Sequence, residues 1–166
     1  MSLLIVGTVA FDAIETPFGK TDKIVGGVAN YASLAASYFT SPINMVSVVG
    51  DDFPQEYLHF LNKKEIRTEG VQVKAGQKSF FWSGKYHMDM NTRDTLDTQL
   101  NVLADFKPVV PESYQKSEFV MLGNLTPQIQ ISVLEQMKKR PRLIVMDTMN
   151  FWMDTERAAL DQVIKM

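Results

Sequence analysis

The sequence predicts an α/β protein in which helices cover a mostly parallel central sheet. Short apolar runs alternate with segments whose apolar residues recur at helical spacing, and polar residues follow each run directly. With 166 residues, 45% of them apolar, the chain is long enough to bury the core of one domain. We therefore expect one domain over residues 1–166, with its ligand at the carboxyl ends of the strands.

Four continuous apolar runs predict strands that are buried on both faces, as in a parallel sheet. They lie at 3–6, 44–49, 119–122 and 143–146. Helical spacing predicts helices at 29–39, at 54–61 with Pro54 in the first turn, and at 126–137, which opens with Thr126-Pro127. A last helix is expected up to residue 164, capped by Asp154 or Thr155.

Two segments, 11–25 and 79–91, interrupt this alternation and predict strands outside the main sheet. The first is punctuated by Pro17 and Gly19, and the second is rich in aromatic residues. Residues 80–82 and 85–87 have the character of a hairpin with much apolar surface. This hairpin could cover a pocket, meet another copy of the protein, or be an ordinary sheet edge.

Charge and composition exclude several classes of function. A net charge of −2 provides no basic field for nucleic acid. The chain has no cysteine and two histidines, so we expect neither disulfides nor a metal site. Every apolar run is too short to cross a bilayer, and no basic segment precedes the first. We expect a cytoplasmic protein with a small-molecule partner, no nucleic acid and no membrane.

The pair Gly26-Gly27 directly precedes a helix of small residues. Glycine lets the backbone approach a ligand closely, and a helix N-terminus presents unpaired N–H donors to a hydroxyl or an anion. A plain tight turn is the alternative. Asp12 lies just beyond the first strand, and its carboxylate can accept two hydroxyl hydrogen bonds. Both elements are predicted to point at one pocket.

Residues 7–12, 26–33 and 49–53 together resemble the N-terminal part of the ribokinase-like, or PfkB, family of carbohydrate kinases. Tyr31 stands where that family usually has asparagine, and Thr40 replaces a glycine or serine. The resemblance implies a three-layer α/β/α fold with a mostly parallel sheet. It also implies that segments 11–25 and 79–91 form a small β-lid, through which such proteins often form homodimers.

The resemblance implies that Asp12, Gly26 and Gly27 bind hydroxyls of a sugar or nucleoside. Asn124, which follows the third predicted strand, resembles a position from which the family often contacts its substrate. The alternative is a turn residue at the approach to a helix.

Arg93 is a further candidate for the substrate site. Its guanidinium could bind a phosphate or carboxylate on the substrate. Alternatively, Arg93 pairs with Asp94 or Asp97 nearby. The histidines, His59 and His87, lack a partner at motif spacing and are interpreted as structural or surface residues.

The resemblance also implies that ATP and Mg²⁺ take part in phosphoryl transfer to a substrate hydroxyl. In this family the base is the aspartate of a Gly-Ala-Gly-Asp segment, and the 166 residues contain no such segment. Asp147 follows a strand without that glycine turn and is interpreted as a cap or pocket residue. We therefore expect no catalytic and no cofactor-binding residue here, with ATP and Mg²⁺ bound mainly by a C-terminal part.

Two other classes of function remain open at this point. One is a non-catalytic module that binds sugar or dimerises. The other, a dinucleotide-binding oxidoreductase, is disfavoured because no G-x-G-x-x-G follows the first strand.

Overall fold

A computed structural model describes residues 2–166 and contains two β-sheets and five α-helices within that range. The strands are β1 (Leu3–Val6), β2 (Ala10–Thr16), β3 (Gly19–Lys20), β4 (Ile24–Gly26), β5 (Ile43–Gly50), β6 (Ile66–Lys74), β7 (Phe81–Tyr86), β8 (Arg93–Gln99), β9 (Phe119–Leu122) and β10 (Leu143–Met146). The helices are α1 (Val28–Ala36), α2 (Gln55–Lys63), α3 (Pro127–Glu135), α4 (Asn150–Thr155) and α5 (Arg157–Lys165).

The main sheet has five parallel strands in the order β10-β9-β1-β5-β6. The predicted parallel sheet is thus confirmed, and the four apolar runs are its first four strands in that order. β6 was not predicted. Its sequence mixes charged residues with Gly70, because an edge strand need not be apolar on both faces.

Helices cover both faces of the main sheet and give the three-layer arrangement. On one face, residues such as Ile5 and Met45 pack with Ala29 of α1 and Leu61 of α2. On the other, Leu4, Val6, Val46 and Val48 pack with Val133 and Leu134 of α3 and Val163 of α5. In β1, β5 and β9, alternate residues therefore enter different cores, which is why these strands are apolar throughout. The expected burial on both faces is wrong for the edge strand β10, where Leu143 and Val145 are about half exposed.

The last predicted helix differs from the structure at its start. Asp154 and Thr155 were expected to cap it, but both lie inside the short helix α4. The Thr155 hydroxyl donates to the carbonyl of Phe151, 2.6 Å away, so it serves the preceding turn. Helix α5 begins after Glu156, whose side chain makes no capping hydrogen bond.

A second, smaller sheet has the strand order β3-β2-β7-β8, with β4 also paired to β2. This small sheet contains most of the two segments that interrupt the alternation. Strands β2 and β7 are parallel, whereas β7 and β8 form an antiparallel hairpin. The expected hairpin between residues 80–82 and 85–87 is wrong, since Phe81–Tyr86 is one continuous strand.

No helix within residues 2–166 combines the length and the apolar character that crossing a bilayer requires.

Candidate substrate site

Polar residues collect at one edge of the main sheet. In sheet order, Asp147, Asn124, Thr8 and Asp51 follow β10, β9, β1 and β5. Because all these strands are parallel, their carboxyl ends meet at the same edge, where α/β proteins bind ligands.

Gly27 forms the junction between this edge and α1. Its φ of 91° lies in the region that favours glycine, and an added Cβ would lie 2.3 Å from the Thr8 carbonyl oxygen. Thr8 binds the first two N–H groups of α1. Its hydroxyl accepts from the Val28 N–H at 3.2 Å, and its carbonyl accepts from the Ala29 N–H at 3.0 Å. Thr8 therefore caps α1 from a distant part of the chain.

The helix N-terminus was expected to offer unpaired N–H donors to a ligand. That expectation is wrong for Val28 and Ala29, which donate to Thr8. The Gly27 N–H is directed at the carboxylate of Asp12. The N–H groups of Gly27, Val28 and Ala29 are thus satisfied within the protein, and the Asp12 carboxylate is the acceptor at this turn that a hydroxyl can approach.

Asp12 lies on β2, directly beside Ile24 of β4 and Trp82 of β7. It is only partly exposed, and an added Cβ at Gly26 would lie 1.9 Å from its Oδ2 atom. Burial raises the pKa of the carboxyl, and the hydrogen bond from the Gly27 N–H opposes that change. The structure thus brings Asp12 together with Gly26 and Gly27, the three residues predicted to share a pocket.

Tyr31 is a neighbour that the sequence reasoning did not place at the site. The residue is 53% exposed, and its hydroxyl donates to the Val25 carbonyl at 3.4 Å. Burial raises the pKa of the Tyr31 hydroxyl, and the negative charge of Asp12 adds to that effect. The sequence did offer a signal for placing Tyr31 at the site, because Tyr31 follows the glycine pair at a position where the PfkB family usually has asparagine.

Asn124 contacts a residue far along the chain. Its Oδ1 atom accepts a hydrogen bond from Nε1 of Trp152 at 2.9 Å. The neighbouring Phe151 ring packs against Trp152 with centroids 4.9 Å apart and nearly perpendicular planes. Asn124 therefore fixes α4 at the sheet edge, a role that neither sequence interpretation anticipated. The cap of α3 is Thr126, whose hydroxyl accepts from the Ile129 N–H.

Arg93 lies on β8 at the far side of the small sheet from Asp12. Its guanidinium carbon is 6.0 Å from the centre of the Trp82 ring. The alternative that Arg93 pairs with a nearby aspartate is wrong: Asp94 contacts His87 at 2.9 Å, and Asp97 accepts from Gln99. Across residues 2–166, no carboxylate lies within ion-pair distance of Arg93.

A polar cluster attaches the small sheet to the main sheet edge. Asp52 accepts from the backbone N–H of Ser79 at 2.8 Å and from its hydroxyl at 2.7 Å, while Gly50 donates to the same hydroxyl at 3.0 Å. Lys23 lies 3.5 Å from the second oxygen of Asp52. Desolvation raises the pKa of Asp52, but the hydrogen bonds from Ser79 and the Lys23 charge outweigh it and leave the pKa lowered.

Comparison with known proteins gives one sequence relative with a recorded activity. No family model matches the chain. It is 25% identical over 138 residues to a cytidine kinase of Thermococcus kodakarensis, a stretch that covers 83% of this chain and 49% of the relative.

Solved structures give the fold. A nucleoside kinase of Methanocaldococcus jannaschii, described as an archaeal member of the ribokinase family, superposes with a TM-score of 0.75 at 16% identity, over 99% of this chain and 57% of its own. A Burkholderia thailandensis nucleoside kinase in complex with inosine superposes with a TM-score of 0.72 at 16% identity, over 98% of this chain and 57% of its own. A PfkB protein from Polaromonas superposes with a TM-score of 0.72 at 13% identity, over 98% of this chain and 62% of its own.

The chain spans about half the length of these relatives. Its two sheets and the helices on both faces of the main sheet account for nearly all of its residues in each superposition. The resemblance drawn from residues 7–12, 26–33 and 49–53 is thereby confirmed: the chain has the ribokinase-like α/β fold, over about half the length of the nucleoside kinases to which it is similar.

Proposed function

We propose that this chain supplies the substrate site of an ATP-dependent kinase that phosphorylates a hydroxyl of a nucleoside or sugar. The observation that carries the proposal is the Asp12 carboxylate, held against the Gly26-Gly27 turn at the ligand-binding edge of the sheet. Similarity to a cytidine kinase and to nucleoside kinase structures favours a nucleoside over other small molecules.

The chemistry of Asp12 suits a ribose. An ionised carboxylate has acceptor capacity for two hydroxyl groups, and the vicinal hydroxyls of ribose present two donors on one side of the ring. Partial burial of Asp12 lowers the competition from water for those hydrogen bonds. Binding in this way would fix the sugar and orient its remaining hydroxyl for phosphoryl transfer.

We assign no ATP·Mg²⁺ site to the residues that the structure describes. Within that part of the chain there is no group of three or more acidic or histidine side chains able to hold a metal ion. The N–H groups of Val28 and Ala29 donate to Thr8. Asp52 accepts hydrogen bonds from Ser79 and pairs with Lys23. The proposal therefore assigns to this chain the nucleoside and no step of the phosphoryl transfer itself.

The small sheet enters the proposal as a lid over the substrate and as the surface of a homodimer. Its strand β2 carries Asp12, and its strand β7 is anchored next to the substrate edge through Ser79. Strand β8 is an edge strand on which all seven residues are exposed, so its backbone is available to a second copy.

Replacing Asp12 by asparagine tests the proposed substrate contact. We expect Asp12→Asn to weaken cytidine binding by about tenfold to a hundredfold, because hydrogen bonds to a charged acceptor contribute about 1.5–3 kcal/mol. Isothermal titration calorimetry of the 166-residue chain with cytidine, inosine and ribose measures this. Asp22→Asn, a change at an exposed aspartate in the turn before β4, is the matched control. Equal affinities for wild type and Asp12→Asn would remove Asp12 from the site.

A second candidate function is a non-catalytic module that binds the sugar, favoured by the absence of a Gly-Ala-Gly-Asp segment from the 166 residues. Incubation of the protein isolated from its native source with nucleoside, Mg²⁺ and radiolabelled ATP distinguishes the two, because the 166 residues alone are assigned no step of the transfer. A phosphorylated nucleoside that disappears with Asp12→Asn supports the kinase. Calorimetric binding without any labelled product supports the module.

A further inference from the structure

We infer that Trp82 and Arg93 form a nucleobase subsite on the same face of the small sheet as Asp12, and that this subsite selects bases carrying a ring nitrogen next to a carbonyl oxygen. The inference rests on the proposed function and deepens it, since Asp12 would hold the ribose of the same nucleoside. Three features carry it: the face of the small sheet on which these residues lie, the position of the Trp82 ring, and the unpaired charge of Arg93.

Asp12 and Trp82 lie on the same face of the small sheet. They are register partners on the parallel strands β2 and β7, so their side chains leave the sheet on the same side. Their neighbours Phe11 and Phe81 are also partners and turn to the other side, where Phe11 packs on Phe53 of the main core. The face with Asp12 and Trp82 is therefore the one that does not enter the core.

The Trp82 ring lies along this face rather than projecting from it. An added Cβ at Gly84 would lie 2.1 Å from Cη2 of Trp82, so the six-membered ring covers the glycine directly. The indole Nε1 atom is 3.4 Å from the Thr95 hydroxyl of β8. The ring thus lies over β7 and next to β8, while the strand that carries Trp82 is the neighbour of the strand that carries Asp12, about 5 Å away between backbones. A base attached to a ribose at Asp12 lies within reach of such a surface.

Arg93 supplies the polar part of the subsite. It pairs in register with Tyr86, two residues beyond Gly84 on β7, and therefore shares the face that carries Trp82. Its guanidinium carbon lies over the Trp82 ring, 6.0 Å from the ring centre, at the outer limit of a cation–π contact. Because no carboxylate among the described residues pairs with Arg93, its five N–H donors remain available.

The combination of stacking surface and guanidinium defines the class of base. Two parallel N–H donors match two adjacent acceptors, as arginine does with the N7 and O6 atoms of guanine. Cytosine offers such a pair in N3 and O2, and hypoxanthine in N7 and O6. Adenine places an amino donor beside N1 and N7, so the guanidinium of Arg93 would face a donor instead of a second acceptor. Cytidine and inosine are therefore expected to bind more tightly than adenosine.

Calorimetry of the 166-residue chain with cytidine, inosine, adenosine and ribose tests the subsite. We expect Trp82→Ala to weaken cytidine binding roughly tenfold to a hundredfold and to leave ribose binding unchanged, since a stacked base contributes on this scale. Trp82→Phe, which keeps an aromatic face, should retain most of the affinity. Arg93→Gln should cost about tenfold for cytidine and inosine and less than twofold for adenosine.

Two exposed residues of the same sheet provide matched controls. Phe18 is 75% exposed in the turn between β2 and β3, and Lys85 lies on the opposite face of β7, paired with Glu15 at 2.8 Å. Phe18→Ala and Lys85→Gln should leave every affinity unchanged. A circular dichroism spectrum of each variant confirms that it folds.

The outcomes separate this inference from the function on which it rests. If Asp12→Asn weakens all ligands while the Trp82 and Arg93 variants bind like wild type, the base subsite is wrong and the nucleoside site stands. If Trp82→Ala weakens ribose as much as cytidine, Trp82 supports the sheet and does not contact a base. If Asp12→Asn has no effect on any ligand, both proposals fall.

Discussion

At the scale of single residues, Gly27 is the position on which the candidate site depends. It connects β4 of the small sheet to α1, and its N–H is directed at Asp12 while its Cα lies against the Thr8 carbonyl. No other residue type has both the positive φ and the space that this contact requires. The glycine is therefore needed for the close approach of backbone to backbone, and the ligand-binding groups are positioned as a result.

Replacing Gly27 by alanine separates backbone strain from steric overlap. Gly76 also has a positive φ, of 71°, but nothing lies within 4 Å of an added Cβ. We expect Gly76→Ala to lower the free energy of unfolding by about 1–2 kcal/mol through strain alone. Gly27→Ala should lower it by about 3 kcal/mol or more, because its Cβ also overlaps the Thr8 carbonyl. Urea unfolding measures both, and equal losses would show that the contact with Thr8 is unimportant.

At the scale of elements, continuous apolar patterns were predictable and mixed ones were not. The strands β1, β5, β9 and β10 and the helices α1 to α3 follow from local sequence, because each contains a continuous apolar run or apolar residues at helical spacing. Strand β8 has no apolar periodicity and all seven of its residues are exposed. Its conformation comes from pairing with β7, a tertiary effect that a local pattern does not encode.

The candidate site shows the same division. Asp12, Gly26 and Gly27 were predictable because a strand end and a glycine turn are local features. The contacts of Trp82 with Arg93 and of Asn124 with Trp152 join separate elements, and the latter pair is 28 residues apart. Which side chain reaches which backbone across such a separation is decided by strand register and helix docking. The sequence alone contains no spacing rule for either.

Removing the Ser79 hydroxyl tests the attachment of the small sheet to the main sheet. Ser79→Ala leaves the buried Gly50 N–H without its acceptor and removes a hydrogen bond to Asp52. We expect a loss of about 2–3 kcal/mol in the free energy of unfolding and faster amide hydrogen exchange in β7. Ser113→Ala, at an exposed serine, is the control and should change neither. Unchanged exchange in β7 for Ser79→Ala would show that the attachment is made elsewhere.

At the scale of the whole molecule, helices cover the two faces of the main sheet unequally. On the sheet face that α1 covers, the helix packs on β1 and β5 but does not cover β10. Leu143 and Val145 of β10 are about half exposed there. Leu3, Ala36 and Met121 are among the residues that complete an apolar groove at this place. Both ends of the main sheet are edge strands, but this one combines an open edge with an apolar face.

This groove predicts concentration-dependent association of the chain. Val145→Lys places a charge in the groove and should reduce both the increase of sedimentation coefficient with concentration and the fluorescence of a bound hydrophobic dye. Val73→Lys makes the same change at the opposite edge of the sheet, where Val73 is 45% exposed against 49% for Val145. Equal effects of the two substitutions would show that net charge, and not the groove, governs the association.

The parallel pairing of β2 with β7 imposes an order of events on folding. Between these two strands the chain passes through α1, β5, α2 and β6, all of which belong to the main body. We expect β2 and β7 to pair only after the elements between them have packed. Closing so large a loop earlier would cost conformational entropy without a compensating contact. We therefore expect the surface that carries Asp12 and Trp82 to form after the elements between β2 and β7 have packed, so that ligand binding is acquired late in folding.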